Sequence, residues 1–529
     1  MAKRTKAAKR RKAPARVPVP APPPAPSPDI PVATTPPGSA STVRARFYCQ
    51  GIGDCHLLRF TKTDRSFFWM LIDCGVHSSV TGGSDTIRAI VDDIFSVTHR
   101  IDVLVLTHEH WDHNSGFLSA QEKFKQFEVG EIWLGWTENA ADPQARTLDK
   151  FKGDALTALQ GARQRLDKAS ALSPHLATVR DGLDQVLGFM FGAKGEKVRS
   201  ARDAAIALAN GRIKYWEPSS VPFKLANDVP NVRVYVLGPP RDDALLRVTT
   251  RPSEMYGMAG APVALALNHA FAMDDGPTQV WNDAAAPFDP SEGFVLSKLL
   301  APAEVKPTRT KDSRDDPTAV DVAALIRDRY TGPAPQAGTT AAASDQSWRR
   351  IDHDWLGVSA DLAIQLDKLT NNSSLVLALE FVDTRRVLLF VGDAQVGNWL
   401  SWEGVKWTVG NTATSAHDLL ARTVFYKVGH HGSENATIKQ KGLELMVHPD
   451  LCAFIPTNKE DAKKVGWGEM PFGPLLEALD RRASDRVIRG DDPWIKRSDG
   501  QPSFSTTSGA MKLHDHDKQR GLWIELDIG

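Results

Sequence analysis

The stretch that most constrains this chain is Leu104-Val-Leu-Thr-His-Glu-His-Trp-Asp-His-Asn-Ser-Gly116. An apolar run, Ile101 to Leu106, reads as a strand and ends at Thr107. His108, His110, Asp112 and His113 then follow within six residues. Alternate residues of an extended backbone point the same way, so His108 and His110 face one point. Asp112 and His113 curl round to a second. Imidazole nitrogens and carboxylate oxygens bind zinc at about 2.0–2.2 Å. One strand end can therefore serve two cations roughly 3.5–4 Å apart, as two-metal hydrolases require. A merely polar loop is the plain alternative, and partners elsewhere in the chain decide between the two.

Such partners are present. Arg386-Val-Leu-Leu-Phe-Val391 reads as a strand closed by Gly392-Asp393. A carboxylate can bind two cations at once and an imidazole does not, so Asp393 is the expected bridge. Thr423-Val-Phe-Tyr-Lys-Val-Gly429 reads as another strand, ending in His430-His431-Gly-Ser433. Adjacent strand residues face opposite ways, so one of these histidines is expected to bind metal. His431 is favoured, with His430 placed to touch the leaving or transferred group. Upstream, Arg44–Gln50, His56–Phe60 and Ser66–Ile72 read as strands, with a Gly51-Ile-Gly-Asp-Cys55 turn between the first two. The third ends in Asp73-Cys-Gly75. Ile87, Ile90, Val91, Ile94 and Phe95 have helical spacing over Thr86–Val97. Strand, helix and strand leading into a metal loop fit an α/β layered fold.

This ordered set resembles the metallo-β-lactamase fold. In particular it is similar to the ComEC-like branch, the DNA-uptake hydrolase domain and its soluble relatives. The resemblance rests on the Gly-x-Gly-Asp turn at Asp54, the Ile-Asp-x-Gly strand end at Asp73 and the His-x-His-x-Asp-His motif. It rests also on the Asn-x-Ser-Leu-Val block at Asn372, on Gly392-Asp393 and on His430-His431-Gly-Ser433. It covers residues 43–135 and 348–470, less than half of the chain. It implies a four-layer αββα architecture and a centre of one or two zinc ions, with manganese as an alternative. The implied ligands are His108, His110, Asp112, His113, Asp393 and His431. Asp73 is implied as a support residue, since carboxylates behind ligating imidazoles orient them. Asp54 matches the turn position, where a plain turn-forming role weighs equally. Most hydrolases of the superfamily carry one more His before the Gly-Asp strand. Here Asn371, Asn372 and Ser373 stand there, so the His108/His110 metal is expected to be under-coordinated, weakly held or present only with substrate. Asn372, Ser373, Lys427 and Ser433 are the remaining candidate support or substrate contacts. For Lys427, a surface strand position is the plainer reading.

The implied chemistry is hydrolysis by a metal-activated hydroxide, since a bound cation lowers the pKa of water towards ~7. Asp112 or Asp393 would orient the nucleophile, and His430 would stabilise charge on oxygen. The branch favours phosphodiesters, with nucleic acid among them. Ester, lactone or lactam hydrolysis is the alternative enzyme class, and a metal-bearing, non-catalytic binding module is the alternative outside enzymes. Trp399, Trp402 and Trp407 follow Asp393 closely and offer either base stacking or core packing, of which core packing is the plainer reading.

The length of 529 residues exceeds one ordinary core. Residues 1–42 read as a disordered basic and Pro-rich tail, 43–138 as the first half of the domain that resembles the metallo-β-lactamase fold, and 139–345 as a helical and partly irregular insertion. Residues 346–529 read as the second half with C-terminal strands. The zero net charge hides an asymmetry: residues 1–16 hold eight of the 64 Lys/Arg and no acid, so the remainder carries a net −8. The tail offers a tether to nucleic acid or simple solubilisation. An acidic body is not the usual form of a dedicated nuclease. No apolar run approaches the ~18 residues of a membrane span. The basic head lacks a signal peptide's apolar region. Four scattered cysteines with no CxxC pair suit a reducing, cytoplasmic setting.

Overall fold

The computed structural model describes residues 41–169, 196–248, 366–464, 469–497 and 509–529, with residues 180, 181, 183, 184, 251, 253–256 and 506. The basic tail up to residue 40 and the later part of the expected insertion, residues 257–345, lie outside these residues.

Among the described residues, seventeen strands build two large sheets and a hairpin. The first six are β1 (Val43–Tyr48), β2 (Cys55–Thr61), β3 (Phe67–Cys74), β4 (Arg100–Val105), β5 (Glu128–Gly135) and β6 (Ile213–Trp216). There follow β7 (Phe223–Ala226), β8 (Val229–Gly238), β9 (Val376–Phe381), β10 (Val387–Phe390), β11 (Lys406–Val409) and β12 (Thr412–Ser415). The last are β13 (Thr423–Lys427), β14 (Cys452–Ile455), β15 (Val487–Arg489), β16 (Met511–His516) and β17 (Trp523–Ile528). The first sheet runs β16-β17-β1-β2-β3-β4-β5-β6 and the second β15-β14-β13-β10-β9-β8-β7, with β11-β12 apart.

Pattern explains position. In β1, Val43, Ala45 and Phe47 are fully buried while Arg44 and Arg46 face outward, the period-2 signature of a one-sided strand. β10, β13 and β14 are buried at every residue, as parallel strands covered on both faces are. One core, with Phe47, Leu58, Met70, Val103, Leu377, Leu388 and Phe425, draws on both sheets. A second joins the other face of the second sheet to helices Val396–Ser401 and Gly473–Ala483. A third joins the other face of the first sheet to helix α1 (Gly83–Val97), through Ile87, Ile90, Val91 and Ile94.

Parallel pairing fixes where the polar strand ends meet. β3, β4 and β5 run parallel in the first sheet, and β10, β13 and β14 in the second. Open α/β sheets gather ligands outside the carboxyl ends of such strands. Those ends here are Asp73, His108, Asp393 and His430. The Leu375 N–H donates to the Thr107 carbonyl at 2.8 Å, tying the two sheets together at that edge.

The 139–345 span is not wholly an insertion. β6 pairs parallel with β5, and β8 pairs with β9, so both are integral strands. Helices Pro143–Ala169 and Glu196–Leu208 are its described helical part. The short, half-exposed β6 and β7 lack an apolar run long enough to announce them.

Candidate metal centre

The strand end after β4 does not fold as an extended arm. His110 is the last extended residue, and helix α2 (Trp111–Ser119) starts at once. Asp112 and His113 therefore reach their positions from a first helical turn. A close approach secures that turn: a Cβ on Gly75 would run into the Asp112 carbonyl. The Asp54 N–H donates to the same carbonyl at 3.1 Å, so the Gly51–Asp54 turn is packed onto the motif.

Asp112, His113, Asp393 and His431 are all buried, and each offers a ligand atom within 4.8 Å of the others. His431 Nε2 lies 2.9 Å from Asp112 Oδ2, and His113 Nε2 lies 3.2 Å from Asp393 Oδ2. His108 Nε2 and His110 Nδ1 lie 3.0 Å apart beside them. The ring of His108 is 4.2 Å from that of His113, centre to centre.

The outer nitrogens of three rings are occupied. His113 Nδ1 donates to Asp73 Oδ2 at 2.8 Å. His431 Nδ1 donates to the Pro456 carbonyl at 2.7 Å. The Thr107 hydroxyl donates to Asp73 Oδ2 at 2.6 Å and accepts from His108 Nδ1 at 3.1 Å. Each of these rings thus carries its proton on Nδ1 and turns Nε2 inward. Asp73 pays a backbone cost for this, with φ at 54°. Its Oδ1 also accepts the Thr107 N–H at 2.8 Å.

Burial raises both Asp112 and Asp393, but His113 and neighbouring cations more than reverse it, holding both well below the carboxylate range. Burial pulls His113 down, yet Asp393, Asp54, Asp112 and Asp73 together lift it well above the usual imidazole value. His431 is likewise raised, against burial, by Asp112 and Asp393. His108 and His110 behave oppositely. Burial and neighbouring imidazoles push His108 well down, and burial takes His110 to about 3. The carboxylate side of the centre demands positive charge, and the imidazole pair offers bare lone pairs. Asp112 Oδ1, His113 Nε2 and Asp393 Oδ2 are buried without a hydrogen-bond partner. Unpaired buried groups of this kind are costly, and a divalent cation satisfies them.

Lys427 is not a surface residue. It is buried, its Nζ pairs with Asp54 and lies 3.5 Å from Asp393 Oδ1, and it donates to the Gly392 carbonyl at 2.9 Å. Both faces of β13 are covered, so alternation does not bring this lysine out. Its ammonium lowers Asp54 to about 2 against the upward pull of burial. Asp54 is thus both a turn residue and a member of the buried charge network.

His430 and His431 diverge for a reason other than strand alternation. They lie in a tight turn with φ of 45° and 55°. His431 enters the cluster. The His430 ring accepts at Nδ1 from the Gln395 amide at 3.1 Å and meets Ser433 Oγ at 2.7 Å. Its Nε2 faces Asn371 Nδ2 at 3.5 Å, and burial lowers it to about 4, keeping it neutral.

Two expected contacts need correction. Asn372 bonds the carbonyls of Leu246 and Val248 at 3.2 and 2.8 Å and accepts the Asn398 N–H at 3.1 Å. Ser373 bonds the Thr370 carbonyl at 2.6 Å. Residues 366–372 are helical, which turns Asn371 rather than Asn372 toward His430. Trp399, Trp402 and Trp407 are core residues, buried to within 6% exposure, with no face free for a base. Sequence spacing gave no sign of Gln395, Thr107 or Asp367. Asp367 is buried with Oδ1 3.6 Å from His110 Nε2. Gln395 was traceable only as the residue two after Asp393.

Among the described residues no helix is long and apolar enough to cross a membrane. All four cysteines are free thiols. The fold and site define a mixed α/β protein with two large sheets and a buried His/Asp cluster suited to a metal ion. No protein-family model, curated protein or solved structure matches the chain.

Proposed function

We propose that this chain is a metal-dependent hydrolase of the metallo-β-lactamase fold, in its ComEC-like branch, and that it cleaves phosphodiester bonds. The layered cores, with helices outside two facing sheets, support the αββα architecture. The observation that carries the functional reading is the buried four-residue cluster, whose ligand atoms lie within 4.8 Å of one another.

Asp112, His113, Asp393 and His431 would hold one ion, and His108 with His110 a second beside it. Zinc suits this mixed imidazole and carboxylate set, and manganese is the alternative. When bound, the metal supplies Lewis acidity that activates water at neutral pH. The protein supplies the rest. Asp73 and the Pro456 carbonyl lock the His113 and His431 rings. Asp393 Oδ1 accepts the His430 N–H at 2.8 Å, coupling this carboxylate to the turn that carries His430. A neutral His430, protonated on Nε2, can donate to a phosphoryl or leaving-group oxygen. Asn371 beside it is a second polar contact for substrate. The basic tail suits a polyanionic substrate such as nucleic acid.

Hydrolysis of bis(p-nitrophenyl) phosphate by zinc- or manganese-loaded protein tests this reading. Metal-dependent turnover lost in Asp112→Ala and Asp393→Ala is expected, with a drop on the order of 10²–10³-fold or more. No turnover with metal bound moves the assignment to esters, lactones or lactams, or to a non-catalytic metal module. Absence of bound metal in the loaded protein rejects the reading.

A further inference from the structure

His108, His113 and His431 turn Nε2 toward the cluster and hold a proton on Nδ1. His110 is reversed: its Nδ1 faces His108 Nε2 at 3.0 Å. To present a bare Nδ1, His110 must carry its proton on Nε2. That atom is buried and has no hydrogen-bond partner. It points at Asp367 Oδ1, 3.6 Å away, which is also buried and without a hydrogen bond. His110 is the ion-pair contact of Asp367 among the described residues. Two orphaned, complementary groups face each other, and a shift of a few tenths of an ångström makes a hydrogen bond.

Resting on the metal-centre reading above, we infer that Asp367 is the positioning residue of the His108/His110 metal position. It holds the Nε2 proton of His110 and turns Nδ1 toward the ion. The position has two imidazoles of its own, because the neighbouring His113 turns its Nε2 to Asp393 in the four-residue cluster, so its hold on an ion depends strongly on ring orientation. Asp367 would do for His110 what Asp73 does for His113, with the opposite ring nitrogen. It comes from the helical turn at residues 366–372, which also carries Asn371. One short segment thereby orients a metal-binding ring and lines the His430 side of the site.

The test is equilibrium dialysis of the full chain against zinc chloride. Wild type is expected to bind two ions. Asp367→Ala weakens one of them by about 10–100-fold and leaves the other unchanged. Asp367→Asn, whose amide oxygen still accepts the Nε2 proton, keeps most of that affinity. In a His110→Ala background, Asp367→Ala adds nothing further, because the two act as a unit. Unchanged affinities in Asp367→Ala, equal loss of both ions, or an additive effect in the His110→Ala background overturns the inference alone. A wild type that binds one ion overturns it and leaves the four-residue cluster standing. A wild type that binds none overturns the metal reading with it. If Asp367→Ala fails to fold, ¹⁵N NMR of zinc-loaded wild type decides. A His110 proton on Nε2 is expected, and one on Nδ1 overturns the inference.

Discussion

The two halves of the centre are built on opposite principles. Asp112, His113, Asp393 and His431 form a closed group, with carboxylates facing raised imidazoles and the Lys427 ammonium behind Asp393. His108 and His110 form an open pair, with lowered imidazoles and a carboxylate set back at Asp367. The closed half is balanced by charge and the open half by hydrogen-bond direction. Closed metal sites retain their ion, and sites with few protein ligands leave room for water or substrate. On the proposed metal reading, the contrast would place a resident ion in the first half and an exchangeable one in the second.

The charge balance of the closed half is the sharpest thing to break. Lys427 is 1% exposed, as are Asp54 and Asp393. Lys427→Met keeps the stem and deletes the ammonium that Asp54 and Asp393 share. Loss of one member of a buried ion pair costs about 3–5 kcal/mol. Urea denaturation of metal-free protein should show a loss of that size, and excess zinc should restore part of it by binding the folded state. A loss below ~1 kcal/mol would mean that the closed half does not depend on its charge balance.

How much of this was legible beforehand differs between the halves in the same way. The strand ends announce the candidate metal-binding side chains because a strand, a turn and a polar residue form a local pattern. His108, His110, Asp112, His113, Asp393 and His431 were nameable from spacing, and the structure brings them together. Groups that act across the fold have no local pattern. Asp367 faces His110 from 257 residues away in sequence. Lys427 looked like a surface lysine because alternation presumes one wet face, and β13 has none. Asn371, not the expected Asn372, faces His430 because residues 366–372 are helical, a turn that the short Asn-x-Ser-Leu-Val match does not reveal. β6 and β7 escaped notice at four residues each.

A second way to sharpen the comparison is pH. Metal binding must displace the protons that His113 and His431 hold in the folded chain. Their values are raised, so protons compete from above the ordinary imidazole range downward. Zinc affinity of the closed half should therefore fall as pH drops from about 8 to about 6, approaching tenfold per unit for each proton displaced. His108 and His110 are already neutral there, because both values are lowered. The open half should change far less over the same interval. Zinc titrations at the two ends of that range, on wild type and on His110→Ala, separate the halves. Equal slopes for both ions would erase the distinction.

The smallest expected effect falls on the residue that joins the halves. Thr107 Oγ donates to Asp73, which orients His113, and accepts from His108 Nδ1. Its hydroxyl sets the His108 tautomer in the open half and shares an acceptor with His113 in the closed one. Thr107→Val conserves shape and removes only the hydroxyl. Leaving the His108 proton without an acceptor costs about 1–3 kcal/mol of stability. Asp73 retains its bonds to the Thr107 N–H and to His113, so zinc affinity of the closed half should barely move. The open half should lose affinity, because His108 becomes free to place its proton on Nε2. Thr107→Ser restores the hydroxyl and should recover the open half while sacrificing a methyl's packing. Zinc dialysis of the pair reads this directly: equal losses in both halves would show that Thr107 serves the closed group through Asp73 and that the tautomer of His108 is set elsewhere.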